Sequence, residues 1–376
     1  MSDQPSNASR DTARPVETAN FPCEGCGSQM VFDPDTQQLK CIHCGALSPL
    51  SSQLLEAPEY RYDPAADTHT APDWETLGSQ AVRCAGCGAT TLIPADEMTA
   101  ACPFCGSYYV VEQDAVTVGI LPETLIPFRI SRQKALALFA QWARKRFWAP
   151  KAFKKGRHAA EKLTGQYLPY WTFDAGLSTD YAGQGGKDYT VTRTRRVNGK
   201  TQTYTVTQTR WYPVSGIRRM DFDDTPVCGT RLLDTGLIEG LGAYSTKMLS
   251  RYSPAFLAGF SATRYDVSLS DAWKAASDTM QNRMQNTVES ELGYDHYRNM
   301  SYDHLFTGIR FKHILLPVWI SAYSYKNKLY HFLVNGETGH VTGKAPVSAL
   351  KVVLTLLAVS AAVGGIALAA YLFSLR

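Results

Sequence analysis

The sequence predicts an α+β multidomain protein with two small four-cysteine modules, an α+β body carrying an internal duplication, and one C-terminal membrane-spanning helix. Three observations predict this: eight of the nine cysteines form two matching frames, the charge is divided along the chain, and the C-terminal segment is uncharged. Residues 1–123 carry 5 Lys/Arg and 17 Asp/Glu, whereas residues 124–345 carry 31 and 17. Hydrophobic residues make up 44% of the 376, which excludes wholesale disorder.

These divisions predict six segments along the chain. They are a disordered N-terminus at 1–20, a first cysteine module at 21–50, an acidic, proline-containing linker at 51–80, a second module at 81–113, a basic body at 120–345 and a helix at 350–374.

Each cysteine frame consists of a CxxC pair, a 14-residue spacer and a second CxxC pair. A glycine after each pair suits a tight turn, and two such knuckles bring four thiolates around one Zn²⁺. Disulfides are disfavoured for a chain facing the cytoplasm, and a redox CxxC occurs once rather than in matched pairs. The frames therefore predict two zinc ribbons, each with four cysteine ligands, and two Zn²⁺ per chain. The eight ligands are Cys23, Cys26, Cys41, Cys44, Cys84, Cys87, Cys102 and Cys105.

The acidic charge of residues 1–123 decides what these ribbons bind. Each zinc–tetrathiolate centre adds a charge of about −2, and an acidic surface repels a phosphate backbone, which is bound through Lys and Arg. The sequence therefore favours protein docking by the ribbons over nucleic-acid binding.

The tail from Val352 to Phe373 contains no charged residue. Its 22 residues would span ~33 Å as a helix, about the thickness of a bilayer core. Residues 1–20 lack the apolar run of a signal peptide, and Lys344 and Lys351 precede the tail. The prediction is a single-pass protein of the cytoplasmic (inner) membrane, anchored C-terminally with its bulk facing the cytoplasm. A buried core helix is the weaker alternative.

A basic cluster opens the body, with ten Lys/Arg and no acidic residue between Thr124 and Ala160. Ser131 predicts a helix N-cap, and aromatic residues lie among the charges. Such a surface suits anionic lipid or nucleic acid, and the predicted anchor favours lipid; a solvated helix face stays open. The cluster is Arg129, Arg132, Lys134, Arg144, Lys145, Arg146, Lys151, Lys154, Lys155 and Arg157.

Two pairs of short motifs indicate the duplication. The run Phe128 to Ser131 parallels Tyr265 to Ser268 at an offset of 137, and each run predicts a short strand, a serine N-cap and an amphipathic helix. The motifs YLPYW and LLPVW parallel each other at an offset of 148. The predicted repeats cover about 125–215 and 262–345. In the first repeat, Asn198-Gly199 predicts the turn of a hairpin rich in Thr and Arg.

No catalytic motif is complete. The run Gly199-Lys200-Thr201 lacks the first glycine of a phosphate-binding loop, because position 194 is Thr194, and neither HExxH nor GxSxG occurs. Cys228 is interpreted as a core residue, with a nucleophile as the alternative. Asp221, Asp223 and Asp224 are interpreted as an exposed acidic turn, with a cation site as the alternative. The prediction is that the chain is not an enzyme.

The order of these motifs resembles a bacterial family. Two CxxC ribbons followed by YLPYWTFDA, TRWYPVSG, DFDDTPV, LAGFSATRYDV, FKHILLPVWISAYSY and VNGETGHVTG are similar to TFIIB-type zinc-ribbon proteins often labelled primosomal protein N′ or superfamily II helicase. The architecture also resembles zinc-ribbon membrane adaptors of flotillin-like and phage-shock systems, whose zinc module recruits soluble partners to the membrane. The resemblance implies zinc ligands and no catalytic residues.

The predicted function is therefore a non-enzymatic, membrane-anchored zinc-ribbon scaffold or adaptor that recruits cytoplasmic proteins, with membrane stress as the implied context. The alternative is a nucleic-acid-binding zinc-ribbon protein linked to replication, without helicase activity of its own.

Overall fold

A computed structural model describes the chain over residues 18–50, 54–55, 58–65, 79–83, 90–94, 97–101, 108–111, 120–150, 153, 163–197, 200–231, 233–246, 249–325 and 328–374. The strands of the N-terminal part are β1 (Thr18–Ala19), β2 (Met30–Asp33), β3 (Gln38–Cys41), β4 (Leu47–Ser48), β5 (Leu54–Leu55), β6 (Tyr60–Arg61), β7 (Ser79–Arg83), β8 (Thr90–Pro94), β9 (Thr99–Ala101) and β10 (Tyr108–Val111). Those of the body are β11 (Thr124–Leu125), β12 (Thr164–Val197), β13 (Lys200–Cys228), β14 (Leu249–Arg251), β15 (Ser261–Ala262), β16 (His296–Tyr325), β17 (Lys328–Asn335) and β18 (Val341–Gly343). The helices are α1 (Arg132–Arg144), α2 (Thr235–Glu239), α3 (Leu269–Leu292) and α4 (Ala349–Ser374), with a 3₁₀ turn at Pro254–Leu257.

The body is built on one mixed sheet containing ten of the described strands, with a central order β13-β12-β16-β11-β14-β5. Strands β12, β13 and β16 are 34, 29 and 30 residues long. Strand makes up 47% of the structure and helix 24%, so the fold is mostly β and the predicted α+β class is wrong. The reason is that runs rich in Thr, Val, Tyr and Phe extend the strands β12, β13 and β16 far past the core, because β-branched and aromatic side chains favour an extended backbone.

Alternate residues of the central strands line opposite faces of the sheet. On one face, Tyr167 packs with α1 and Trp171 packs with α3. On the other face, Leu168 and Tyr170 pack with Leu237 of α2. The core therefore has three layers, with α1 and α3 on one side of the sheet and the α2 segment on the other.

The pairing of the sheet follows an approximate two-fold symmetry. In the antiparallel pair β12–β16, Leu168 lies opposite Leu316, which is its counterpart at the offset of 148. The short strands β11 and β15 are counterparts at the offset of 137, and each pairs in parallel with a central strand of the other repeat. Strand β11 pairs with β16 at Thr124↔Ile314, and β15 pairs with β12 at Ser261↔Gln166. The two offsets read from the sequence therefore recur together in the strand register.

The two halves exchange hydrogen bonds across this symmetry. The indole of Trp319 donates to the Ile130 carbonyl at 2.8 Å, and the indole of Trp171 donates to the Val267 carbonyl at 3.1 Å. Each tryptophan thus donates a hydrogen bond to the segment just before the helix of the other repeat, so the two halves interlock.

Glycine carbonyls repeat this exchange. The Gly336 carbonyl accepts from the backbone N–H groups of Arg129 and Ile130 at 2.8 and 2.9 Å. The Gly229 carbonyl accepts from those of Asp266 and Val267 at 2.9 and 3.1 Å.

The segment predicted as a linker contributes to the body. Strand β5 pairs with β14, and β6 pairs with β16. Tyr62 is buried against the rings of Phe173, Trp273 and Phe311. Strands β5 and β6 and the side chain of Tyr62, all within the predicted linker, are therefore docked on the sheet. Strand β1, inside the predicted disordered terminus, pairs with β10, and residues 1–17 lie outside the described residues.

Helix α4 begins beside α1. The Lys351 ammonium donates to the carbonyls of Phe147 and Ala149 at 3.0 and 2.6 Å. Within the part of the chain that the structure describes, none of the helices combines the length and the hydropathy of a membrane-spanning segment. On this finding the predicted transmembrane anchor, and with it the single-pass membrane localisation, is wrong.

Candidate metal centre

The first cysteine frame folds into a four-sulfur cluster. The Sγ atoms of Cys23, Cys26, Cys41 and Cys44 all lie within 4.8 Å of one another. Cys23 and Cys44 are 3.6 Å apart at sulfur, and Cys26 and Cys41 are 3.5 Å apart. A tetrahedron of thiolates with Zn–S bonds of about 2.3 Å has sulfurs ~3.8 Å apart, so the four residues fit a bound metal of this size.

Two glycine turns and one hairpin build the cluster. Gly27 and Gly45 have φ of 70° and 75°, a region in which a side chain would be strained. Their N–H groups donate to the carbonyls of Cys23 and Cys41 at 2.8 and 3.1 Å, which closes each knuckle. The β2–β3 hairpin pairs Met30 with Cys41 and thereby brings the second knuckle to the first.

The local electrostatics favour a thiolate within the cluster. The backbone N–H of Cys44 lies 3.5 Å from the Cys41 sulfur and lowers the pKa of that thiol to about 6, because the hydrogen bond stabilises the charged form. Cys23 and Cys41 are buried, whereas Cys26 and Cys44 are exposed. The cluster therefore faces the protein on one side and solvent on the other.

The ribbon is packed firmly against the body. The Phe32 N–H donates to the Ala258 carbonyl at 2.9 Å, and its ring meets those of Phe256 and Phe260 at 5.3 and 6.3 Å. The Gln37 amide donates to the Phe128 carbonyl at 2.7 Å. Because both buried cysteines belong to the same hydrophobic core as α1, the cluster is held at a fixed place on the body.

The second cysteine frame cannot be placed in the same way. Its four predicted ligands lie outside the described residues, and they are Cys84, Cys87, Cys102 and Cys105. Strands β7 and β8 pair on either side of the first CxxC of this frame, with Val82 opposite Thr91.

The basic cluster is divided by the fold. Arg129 lies 3.8 Å from the carboxylate of Glu337, and the Arg132 guanidinium donates to the Leu163 carbonyl at 3.4 Å. Arg146 stacks over the Trp142 ring at 4.5 Å. Part of the predicted cluster therefore serves the structure of the body. Lys134, Arg144 and Lys145 are exposed on or just after α1, and Lys151, Lys154, Lys155 and Arg157 lie outside the described residues.

A second charged site was missed by the sequence analysis. The Lys312 ammonium lies 2.7 Å from Asp224, 3.2 Å from Glu59 and 3.8 Å from Asp174. Burial works against the charge of Lys312, but the hydrogen bond to Asp224 raises its pKa overall. Burial raises the pKa of Asp174 to about 6. The signal in the sequence was a lysine in the apolar run FKHILLPVW.

Lys312 determines whether this second site acts as a metal site or as an ion-pair network. The carboxylates of Asp174, Asp223 and Asp224 lie close enough to hold a metal ion. The ammonium of Lys312 already supplies a positive charge among them, so the arrangement joins Glu59, from the predicted linker, to β16 as a structural ion-pair network.

Cys228 does not have the character of a nucleophile. Burial raises the pKa of its thiol to about 11, so the thiol stays protonated at neutral pH. The residue is partly buried and packs against the core cluster that contains Leu168 and Tyr170.

The chain is similar to a protein of Bacillus subtilis (strain 168) that is named uncharacterized protein YdjG. The two are 27% identical over 334 residues, which cover 89% of this chain and 92% of the relative. No family model matches the chain, and no solved structure matches it. The resemblance to TFIIB-type zinc-ribbon proteins therefore stays a prediction.

Proposed function

We propose that this chain is a non-enzymatic zinc-ribbon adaptor that docks a partner protein on its first ribbon and holds two Zn²⁺. The observation that carries the proposal is the exposed side of the four-sulfur cluster. Ile42, between Cys41 and Cys44, is 67% exposed, and Leu47 is 48% exposed. Large apolar side chains held at a fixed point on an acidic surface favour a protein partner over a phosphate backbone.

Zinc supplies structure in this proposal. Four thiolates fill the coordination sphere of Zn²⁺, which leaves no open position for a substrate, as is typical of structural sites. The metal would hold the two knuckles together and so fix Ile42 and Leu47 in place. The resemblance to adaptors of flotillin-like and phage-shock systems gives the first class of partner to test.

Elemental analysis of the purified full chain tests the metal content. We expect about two zinc per chain, about one in Cys26→Ser/Cys44→Ser, and about one in Cys84→Ser/Cys87→Ser. The control is Cys228→Ser, which removes the cysteine outside both frames and should keep two. Equal zinc in all four proteins would contradict the assignment.

Site-specific photo-crosslinking tests the docking surface. A photoreactive amino acid is placed at Ile42 or, as a matched control, at Leu305, which is 64% exposed on β16. We expect a discrete protein adduct in cells from position 42 and none from position 305, and Leu47→Asp should abolish it. The same adducts from both positions, or nucleic acid as the main adduct of position 42, would overturn the proposal.

A further inference from the structure

The hairpin β12–β13 extends beyond the rest of the sheet as a two-stranded ribbon. Pairing of β12 with β16 ends at Gly186↔His296, whereas pairing with β13 continues to Val197↔Lys200. Residues 187–197 and 200–210, called the arm below, therefore have only each other as partners among the described strands. At ~3.3 Å per residue the arm is about 36 Å long.

The base of the arm is held in place by the segment that follows α3. The Lys187 ammonium donates to the Gly293 carbonyl at 2.7 Å, and the Asp188 N–H donates to the Asp295 carboxylate at 2.9 Å. Arg298 stacks on the Trp211 ring at 4.0 Å. The arm thus leaves the body from a structured base.

The arm is strongly basic. It contains six basic residues and one acidic residue, Asp188, for a net charge of +5. Asp188 is engaged by Thr209 and His296, and Lys187 lies 3.5 Å from Asp295. Arg193, Arg195 and Arg196 are exposed, and none of the ion pairs in the described chain includes them.

The two faces of the arm carry different groups. One face presents three rows of paired threonines, which are Thr190↔Thr207, Thr192↔Thr205 and Thr194↔Thr203. The other presents Arg193 and Arg195 with the exposed rings of Tyr189 and Tyr204, which are 40% and 45% exposed. Hydroxyls, guanidinium groups and exposed rings are the side chains that contact phosphates and bases.

Folding alone does not account for this composition. A two-stranded ribbon without a covered apolar face is at best marginally stable in water, and the threonine face of the arm buries no core. Repulsion among the arginines adds to this disadvantage. A polyanion that covers the arm would relieve the repulsion, and a two-stranded ribbon has the width to enter the major groove of duplex DNA, about 12 Å across.

We propose that the arm binds duplex DNA through its phosphates, without sequence preference, as a function additional to partner docking. The pairing of hydroxyl and guanidinium groups on a narrow ribbon favours a duplex over a membrane, because Val191 and Val206, which pair with each other on the arm, are both partly buried and offer little apolar surface for insertion. The α1 residues Lys134, Arg144 and Lys145 are not required for this binding.

The test measures binding of the full-length chain to a labelled duplex of about 30 base pairs at roughly 50 and 200 mM salt. A net charge of +5 that displaces about five counterions predicts an affinity loss of about 500-fold between these conditions. Arg193→Gln/Arg195→Gln/Arg196→Gln should bind more weakly at the lower salt and lose only about 12-fold. The matched control, Lys134→Gln/Arg144→Gln/Lys145→Gln, also removes three charges and should behave as the wild type.

Two other outcomes would overturn the proposal that the arm binds duplex DNA. Loss of binding in the α1 variant with retention in the arm variant would move the site to α1. Equal binding to polyglutamate or to vesicles with about 30% phosphatidylserine, with the same loss in the arm variant, would show a general polyanion surface. Circular dichroism of both variants checks that they are folded. The double variant Tyr189→Phe/Tyr204→Phe keeps the charge of the arm and should bind within a few-fold of the wild type.

Discussion

The two repeats of the body share one set of core contacts but differ in what surrounds it. In each repeat, a short strand, a helix with a serine before it, and a tryptophan of a central strand occupy equivalent positions. Each tryptophan donates a hydrogen bond to the other repeat. The first repeat carries the arm and a helix of 13 residues, whereas the second carries a helix of 24 residues that packs along the long hairpin. The contacts between the two halves are therefore symmetric, whereas the elements outside the shared core are not.

The largest effect is expected at the exchanged tryptophans. Trp171→Ala and Trp319→Ala should each lower the free energy of unfolding by ~3–5 kcal/mol, since each removes a buried ring and an N–H bond. Urea unfolding measures both. Trp148→Ala, at a residue that is 40% exposed, is the control and should change little. A difference above ~2 kcal/mol between the two buried sites would show that the halves are not equivalent.

His313 breaks the symmetry, because its counterpart at the offset of 148 is Gly165. Burial lowers the pKa of His313 to about 4, and its Nδ1 lies 2.7 Å from the Ile120 carbonyl. The folded pKa is below the unfolded value of ~6.5, so the stabilisation from neutral His313 is present above pH ~6.5 and is lost as pH falls to about 4. The loss is about 3 kcal/mol.

This pH dependence is measured against His313→Gln, whose side chain does not titrate. The difference in unfolding free energy between wild type and variant should shrink by about 3 kcal/mol from about pH 7 to about pH 4. Subtraction is needed because Asp174 has a raised pKa and contributes with the opposite sign, favouring the folded state as pH falls. A difference that stays constant with pH would show that His313 does not titrate in the folded state as expected.

Gly336 and Gly229, whose carbonyls accept hydrogen bonds from the other repeat, differ in the space available for a side chain. A Cβ at position 336 would lie 2.7 Å from the Phe128 ring and from Pro317, whereas one at position 229 would come no closer than 3.1 Å to Pro169. Gly336→Ala should therefore destabilise by ~2–3 kcal/mol and Gly229→Ala by about 1 kcal/mol. Thermal unfolding of the two variants measures which substitution destabilises the fold more. A larger loss for Gly229→Ala would contradict the tighter packing around Gly336.

The smallest effect concerns the two helix caps. The Ser268 hydroxyl accepts the Asp271 N–H at 3.0 Å, whereas the Ser131 hydroxyl makes no capping bond. Ser268→Ala should destabilise by ~1 kcal/mol and Ser131→Ala by less than ~0.5 kcal/mol. Equal losses in urea unfolding would mean that Ser131 caps α1 in solution.

The parts of the candidate site that could be predicted are local. The CxxC spacing and the glycines after it were sufficient to predict the first cysteine cluster, because each knuckle closes within a few residues. Both serine positions before α1 and α3 were predicted, but only Ser268 makes the capping bond. The lysine–carboxylate network was not predicted, since Glu59, Asp174 and Lys312 are distant in sequence.

The two knuckles of the first ribbon, the starts of the two helices and the offsets of the repeat could be predicted from the sequence. These follow from backbone geometry and hydrogen bonds over short spacings. Three features could not be predicted from the sequence: the docking of the ribbon on the body, the pairing of β5 and β6 with the sheet, and the tryptophan hydrogen bonds between the repeats. Those features depend on strand register between distant segments, and burial of apolar side chains in one shared core selects that register.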